Sequence, residues 1–222
     1  MPMSSRSRLL YHDLIPSCQV CANIFQKTAL TCPACLKELK ASLCLKYYRT
    51  SLYGDRIFYA FRYVDFVRKA MLAYKYSRCY KLSRILGEGL WKVMHQHLEV
   101  QGSVVLPVPT SWHKIFTRKF NPPDLIAKEL AHHAELKMMP QILRKKWHWM
   151  ELKQSGLSQE KRHANPTLVF EAKTYASCMQ APSQWIVVDD VCTTGATLHA
   201  CKKALEQKYP HIPVVLAASA HG

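Results

Sequence analysis

The side chains best suited to chemistry are concentrated in one stretch, Asp189-Asp190-Val191-Cys192-Thr193-Thr194-Gly195-Ala196-Thr197. Ionised carboxylates only accept hydrogen bonds, so an adjacent pair suits a polyol or a metal ion. Three threonine hydroxyls can donate to phosphate oxygens, and the glycine between them lets the backbone approach an anion closely. Ahead of this stretch, Trp185-Ile186-Val187-Val188 reads as a buried parallel strand that ends at the acidic pair. Behind it, helical periodicity runs over about 196–208. A strand, a hydroxyl-rich turn and a helix N-terminus together make an anion site. The first-turn N–H groups lack intrahelical partners, and the helix dipole favours negative charge. Ribose hydroxyls beside a 5′-phosphate would satisfy both halves. The competing reading is a core strand followed by a helix capped by Thr193 or Thr194. Capping needs one threonine and no acidic pair.

A second constellation has metal-ligand spacing. Cys18-Gln-Val-Cys21 and Cys32-Pro-Ala-Cys35 are separated by ten residues. Each turn can aim two thiolates at one Zn2+, and two turns complete a tetrahedral shell. A closed shell leaves no open position, so that zinc is structural, and it supplies folding energy a short segment lacks. A redox pair is the alternative, and two matched pairs argue against it. The other five of the nine cysteines, Cys44, Cys79, Cys178, Cys192 and Cys201, are scattered. No disulfide framework is expected, in keeping with a cytosolic chain.

Charge is the compositional outlier. Lys and Arg total 31 against 15 Asp and Glu, a formal +16 in 222 residues, which favours polyanionic partners or serves solubility alone. No apolar run approaches the 18 or so residues of a membrane span, and the first residues lack a signal-peptide core, so a cytoplasmic location is expected, with peripheral attachment to the inner membrane allowed. Two segments interleave cations with aromatic rings. Lys75, Arg78 and Lys81 lie among Tyr74, Tyr76 and Tyr80, and Arg144, Lys145 and Lys146 precede Trp147 and Trp149. Such patterns suit a single nucleic-acid strand, with phosphates on cations and bases on rings. A solvated helix face explains the first segment equally well. The second reads as an exposed ligand loop.

Positioning these groups requires a sheet. Residues 1–13 read as a leader, 14–45 as the zinc segment and 46–222 as one α/β domain. Residues 36–64 read as a connector with strand character, strongest at Ile57–Val64, where alternation suggests one buried face. From Asp65 the pattern turns helical, with an amphipathic helix expected over about 80–98 and another from Pro123, and a short strand at Val104–Pro109 between them. Thr167–Glu171 and Pro213–Ala218 read as further strands. Strands alternating with helices predict a mainly parallel sheet flanked by helices, with ligands at the strands' C-terminal ends.

With these elements placed, the chain resembles the competence protein ComF (ComFC) family, which joins a zinc-binding N-terminal segment to a type I phosphoribosyltransferase fold. The resemblance rests on the four cysteines, Lys75-Tyr76, Pro107-Val-Pro109, Arg118 with Phe120-Asn121, Leu143-Arg144, Gln154, Arg162 with Asn165, and the stretch from Asp189 to Thr197, which resembles a phosphoribosyl pyrophosphate (PRPP) motif. It implies that Asp189 and Asp190 take ribose hydroxyls, that Thr193, Thr194, Gly195, Ala196 and Thr197 take the 5′-phosphate, that the loop of Pro109, Arg118 and Lys119 holds pyrophosphate, and that Mg2+ sits near the diphosphate and Asp189-Asp190. It also implies a role in DNA uptake during natural transformation, handling single-stranded DNA on the cytoplasmic side, with Arg162 and the basic-aromatic residues as DNA contacts and an uptake helicase or channel as a candidate partner. Where the family usually reads Arg-Gly-Phe-Asn-Gln, this chain reads Arg118-Lys119-Phe120-Asn121-Pro122. Where it usually has Thr before Gln154, this chain has Glu151. No general base stands out.

Overall fold

A computed structural model describes residues 18, 20–21, 31–44, 48–77, 79–111, 115–116, 119–145, 170–175 and 180–222. The centre of the chain is β7 (Trp185–Cys192), whose first four residues are all buried. It lies between β3 (Val104–Pro107) and β8 (Val214–His221), parallel to both. β2 (Arg56–Arg62) adds in parallel beyond β8, and the two-residue β4 (Lys137–Met138) beyond β3. β1 (Tyr48–Thr50) closes the β2 edge antiparallel, giving the order β1-β2-β8-β7-β3-β4. β5 (Leu143–Lys145) and β6 (Phe170–Ala172) form a separate antiparallel pair.

Five helices flank the sheet among the described residues. They are α1 (Pro33–Ala41), α2 (Asp65–Tyr76), α3 (Leu82–Met94), α4 (Pro122–Ala134) and α5 (Ala196–Lys208). One core lies between the sheet and α1–α4, around Leu39, Phe61, Met71, Tyr74, Leu90 and Ile126. The other lies under α5, around Trp185, Leu106, Val187, Leu198 and Leu205. Both faces of the sheet are therefore covered, which is what a parallel sheet requires. Helices α3 and α4 cross closely at Gly87, where a Cβ would sit 2.5 Å from Glu129 Cβ.

The α/β architecture, the helices from Asp65 and Ala196 and the strand at Val104 are as the sequence predicts. Three local expectations change. The first part of the supposed connector is helix α1, because Pro33 fits the first helical position and Cys35 and Leu39 turn one face inward. Strand β2 is buried along Ile57–Phe61 on both faces rather than one, since β8 and β1 flank it and helices cover it. Strand β7 runs through the acidic pair to Cys192 instead of stopping before it, because β8 pairs with it all the way to His221.

Candidate functional site

Asp189 and Asp190 are the fifth and sixth residues of β7, so strand alternation turns them to opposite faces. Asp190 is buried toward α2, and its Oδ1 meets Lys75 Nζ at 3.0 Å. Next to Lys75 in α2, Tyr74 is fully buried and donates its hydroxyl to the Pro122 carbonyl at 2.7 Å. Burial and the negative charge of Asp190 drive that phenol's pKa well above its ordinary value, so it stays a donor. Asp189 faces the α5 side. Burial, then the Asp189 charge, pushes Cys192 up to about 11 and Cys201 well up, so both thiols stay protonated. The carboxylates are oriented by their own backbone: Asp190 N–H donates to Asp189 Oδ1 at 2.7 Å, and Val191 N–H to Asp190 Oδ1 at 2.6 Å.

The turn that follows presents two exposed hydroxyls. The N-cap of α5 is Gly195 at φ 84, with no side-chain cap, so neither Thr193 nor Thr194 serves as the helix cap. Both threonines are exposed, and Ala196 and Thr197 are half-buried in the first turn of α5. Thr194 Oγ1 accepts from Ala196 N–H at 3.3 Å, which shapes the turn and leaves the hydroxyl proton available. Gly195 is required twice over. Its φ lies in the left-handed region, and a Cβ there would be 2.6 Å from Ser51 Cβ and 3.1 Å from Ile57 Cδ1.

Ser51 belongs to the β1–β2 turn, which holds the side of this site through groups the sequence reading missed. Asp55, buried in that turn, takes His199 Nδ1 at 2.6 Å and Lys202 Nζ at 2.7 Å, both from α5. Tyr53 stacks on the His199 ring with centroids 4.6 Å apart. Burial works to raise the Asp55 carboxyl, but the hydrogen bonds from Lys202 and His199 and their charges outweigh it and hold it below its usual range. His199 and Lys202 share a helix face three residues apart, which was visible in the sequence. Their acidic partner, about 144 positions earlier, was not.

Pro109 follows β3, which pairs with β7 through Pro107↔Val188, so its loop and the threonine turn share one edge of the sheet. Asn121 ties that loop shut, its Nδ2 donating to the Val108 carbonyl at 3.2 Å and to Asp124 Oδ1 at 2.8 Å. Lys119 has φ 67, the conformation a glycine would favour. The lysine therefore keeps the backbone shape available to the glycine of the resembled motif. Arg118 lies outside the described residues.

The basic-aromatic residues separate. Lys75 is half-buried and ion-paired with Asp190. Lys81 is exposed at the start of α3. Arg144 is exposed on β5 in register with Glu171, and Lys145 is half-buried. Arg78, Lys146, Trp147, Trp149 and Arg162 lie outside the described residues, as do Glu151, Gln154, Asn165 and the leader 1–13.

Cys18, Cys21, Cys32 and Cys35 converge, with all four sulfurs within 4.8 Å of one another. Cys18 and Cys35 are 3.7 Å apart, and Cys21 and Cys32 are 3.8 Å apart. Tetrahedral thiolates at a Zn–S distance of about 2.3 Å would stand about 3.8 Å apart, so the cluster fits that ion. Burial tends to raise the Cys18 thiol, but N–H donors from Cys32, Cys21 and Val20 bring it down to about 6. Burial, neighbouring thiols and the Cys18 charge push Cys35 far up. Four thiolates this close repel one another, a cost that a bound divalent cation would offset. The cluster packs against Phe66 of α2, and Cys35 starts the inward face of α1.

Fold and site together define an α/β protein whose strand ends carry an acidic pair and a threonine-rich turn, with a metal-competent four-cysteine cluster attached. The chain is similar to a curated protein of Haemophilus influenzae named Competence protein F, 23% identical over 197 residues that cover 86% of this chain and 79% of the relative. That similarity bears out the resemblance to the ComF family. No protein-family model matches the chain.

Proposed function

We propose that this protein handles single-stranded DNA on the cytoplasmic side during DNA uptake and carries a pocket for a phosphoribosyl ligand, PRPP or a 5′-phosphate with its ribose. The observation that carries the pocket is the Thr193-Thr194-Gly195 turn, with both threonines exposed, which opens α5 directly after Asp189-Asp190 and shares its edge with the Pro109 loop. In this reading the N–H of Thr197 and the threonine hydroxyls bind the 5′-phosphate, with Ala196 N–H holding the turn through Thr194 Oγ1. Asp189 accepts from ribose hydroxyls. Asp190 is matched to Lys75, so Mg2+ arriving with a diphosphate would be held by ligand oxygens and, from the protein, by Asp189. There it would neutralise diphosphate charge. Zn2+ held by the four cysteines would be structural.

The formal +16 charge and the name of the similar protein support the DNA part. No described helix is long and apolar enough to cross a membrane. Two measurements test the reading. Ribose 5-phosphate or PRPP should protect the protein against thermal unfolding, and Thr194→Val with Thr197→Val should abolish that protection. Single-strand affinity should fall steeply with salt, and a log–log slope near zero would end the DNA reading. A second reading, an active phosphoribosyltransferase of unidentified acceptor, is favoured by the glycine-like backbone of Lys119 in the first loop. Pyrophosphate release from PRPP with a panel of acceptors decides it.

A further inference from the structure

A groove of about 950 Å³ runs between α1, α3 and α4, on the helix layer away from the threonine turn. Four exposed cations line it: Lys40 of α1, Lys81 and Arg84 at the start of α3, and Lys128 of α4. Among the described residues none of the four is in an ion pair. The groove also contains Glu88 and Glu129. Glu88 is already matched to Lys92 at 2.7 Å, and that hydrogen bond holds its carboxyl below the usual range. The balance is positive. Between the cations lies an apolar strip of Leu36, Ile85 and Leu125, with Tyr80 beside it, 38% exposed and braced edge-on by Phe120 at 4.8 Å. Exposed cations together with an apolar and aromatic lining provide for both parts of an unpaired strand, phosphates and base faces.

We infer that this groove is a binding site for single-stranded nucleic acid, and that the four-cysteine segment builds one of its walls. The inference rests on the proposed DNA-handling reading and deepens it by moving the site from Lys75 and the 144–149 segment to the seam between α1 and the α3–α4 pair. Leu36 and Lys40 lie on α1, whose position is set by Cys32 and Cys35. An acidic peptide is the other polyanion the charges could take, but its carboxylates would leave the apolar and aromatic lining with no planar group to stack on. The strand is therefore preferred.

The test uses the full-length, zinc-loaded protein and fluorescein-labelled oligo-dT, with anisotropy read over a salt series. Lys81→Ala, Arg84→Ala and Lys128→Ala combined should reduce the slope of log K against log salt by about 2, at about 0.7 per lost single-strand phosphate contact. A charge-matched control, Lys137→Ala with Lys203→Ala and Lys208→Ala, removes exposed lysines elsewhere and should leave the slope nearly unchanged. If both triples weaken binding equally, net charge is responsible and the groove is not the site. If wild type shows no salt-dependent binding, the DNA reading itself fails and takes the groove with it. In wild type, bound oligo-dT should also protect Lys81 and Lys128 from acylation. Unprotected lysines in a saturated complex, or displacement of oligo-dT by an equal charge of polyglutamate, would overturn the assignment.

Discussion

Gly195→Ala isolates the feature on which the anion turn depends, and its cost can be worked from two separate terms. Placing an L-residue at φ 84 costs about 1–2 kcal/mol. The new Cβ would then sit 2.6 Å from Ser51 Cβ, against an ordinary carbon–carbon separation of about 3.5–4.0 Å. Ser51 cannot retreat freely. Its N–H donates to the Asp55 carbonyl at 2.8 Å, its carbonyl accepts from Gly54 at 3.1 Å, and Asp55 is anchored to α5. Forcing an extra methyl into such a contact costs about 1–3 kcal/mol, for a total of about 2–5 kcal/mol. Gly54→Ala is the internal control, because Gly54 has φ 80 and nothing within 4 Å of its Cβ position. It should lose only the backbone term, about 1–2 kcal/mol. Urea unfolding of both variants with zinc held saturating gives the difference directly, provided the slope m is unchanged. Ribose 5-phosphate should still stabilise Gly54→Ala and fail to stabilise Gly195→Ala. Equal stability losses in the two variants would refute the claim that the hairpin braces the turn.

Asp55→Asn removes the charge that holds His199 and Lys202 and should cost about 1–3 kcal/mol near neutral pH. Because the folded carboxyl lies below its ordinary value, its contribution is present above the unfolded pKa, about 3.9, and is lost as pH falls through the folded value. The stability gap between wild type and variant should therefore close below about pH 4 and stay open at pH 7. Lys75→Met strands the buried Asp190 and should destabilise by about 1–3 kcal/mol while weakening phosphoribosyl binding; a selective loss of oligo-dT affinity with ligand binding intact would return Lys75 to the DNA surface. Cys32→Ser should lower bound zinc from one per chain to none by mass spectrometry and lose oligo-dT affinity through the displaced α1 wall. Full zinc in that variant would exclude the four-thiolate shell.

The residue sets of both candidate sites were legible in the chain because each is local. Two Cys-x-x-Cys turns bring thiolates together over a span of 18 residues, and the Asp-Asp…Thr-Thr-Gly-Ala-Thr run carries its own strand, turn and helix start. Periodicity supplied the helices from Asp65 and Ala196 for the same reason, since hydrophobic spacing is a property of neighbours. It failed at α1, where four-cysteine spacing and a proline obscured a nine-residue helix. It also failed at β2, whose two buried faces exist only because a separate core packs on each side of the sheet, Phe61 in one and Ile57 in the other.

What the sequence determined alone is the set of ligating groups and the α/β alternation, both written within short windows. Tertiary structure decided what those groups meet. It brought Lys75 to Asp190 across 115 positions or so and Asp55 to His199 and Lys202 across the whole domain. It also set Lys40, Lys81, Arg84 and Lys128, from three helices, along one groove. Charges distant in the chain act on one another only after strand order and helix packing set their separation, because Coulomb energy depends on distance in space and on the medium between. The same lysine-rich composition thus yields cations neutralised beside carboxylates, Lys75 and Lys202 among them, and four left facing an open groove.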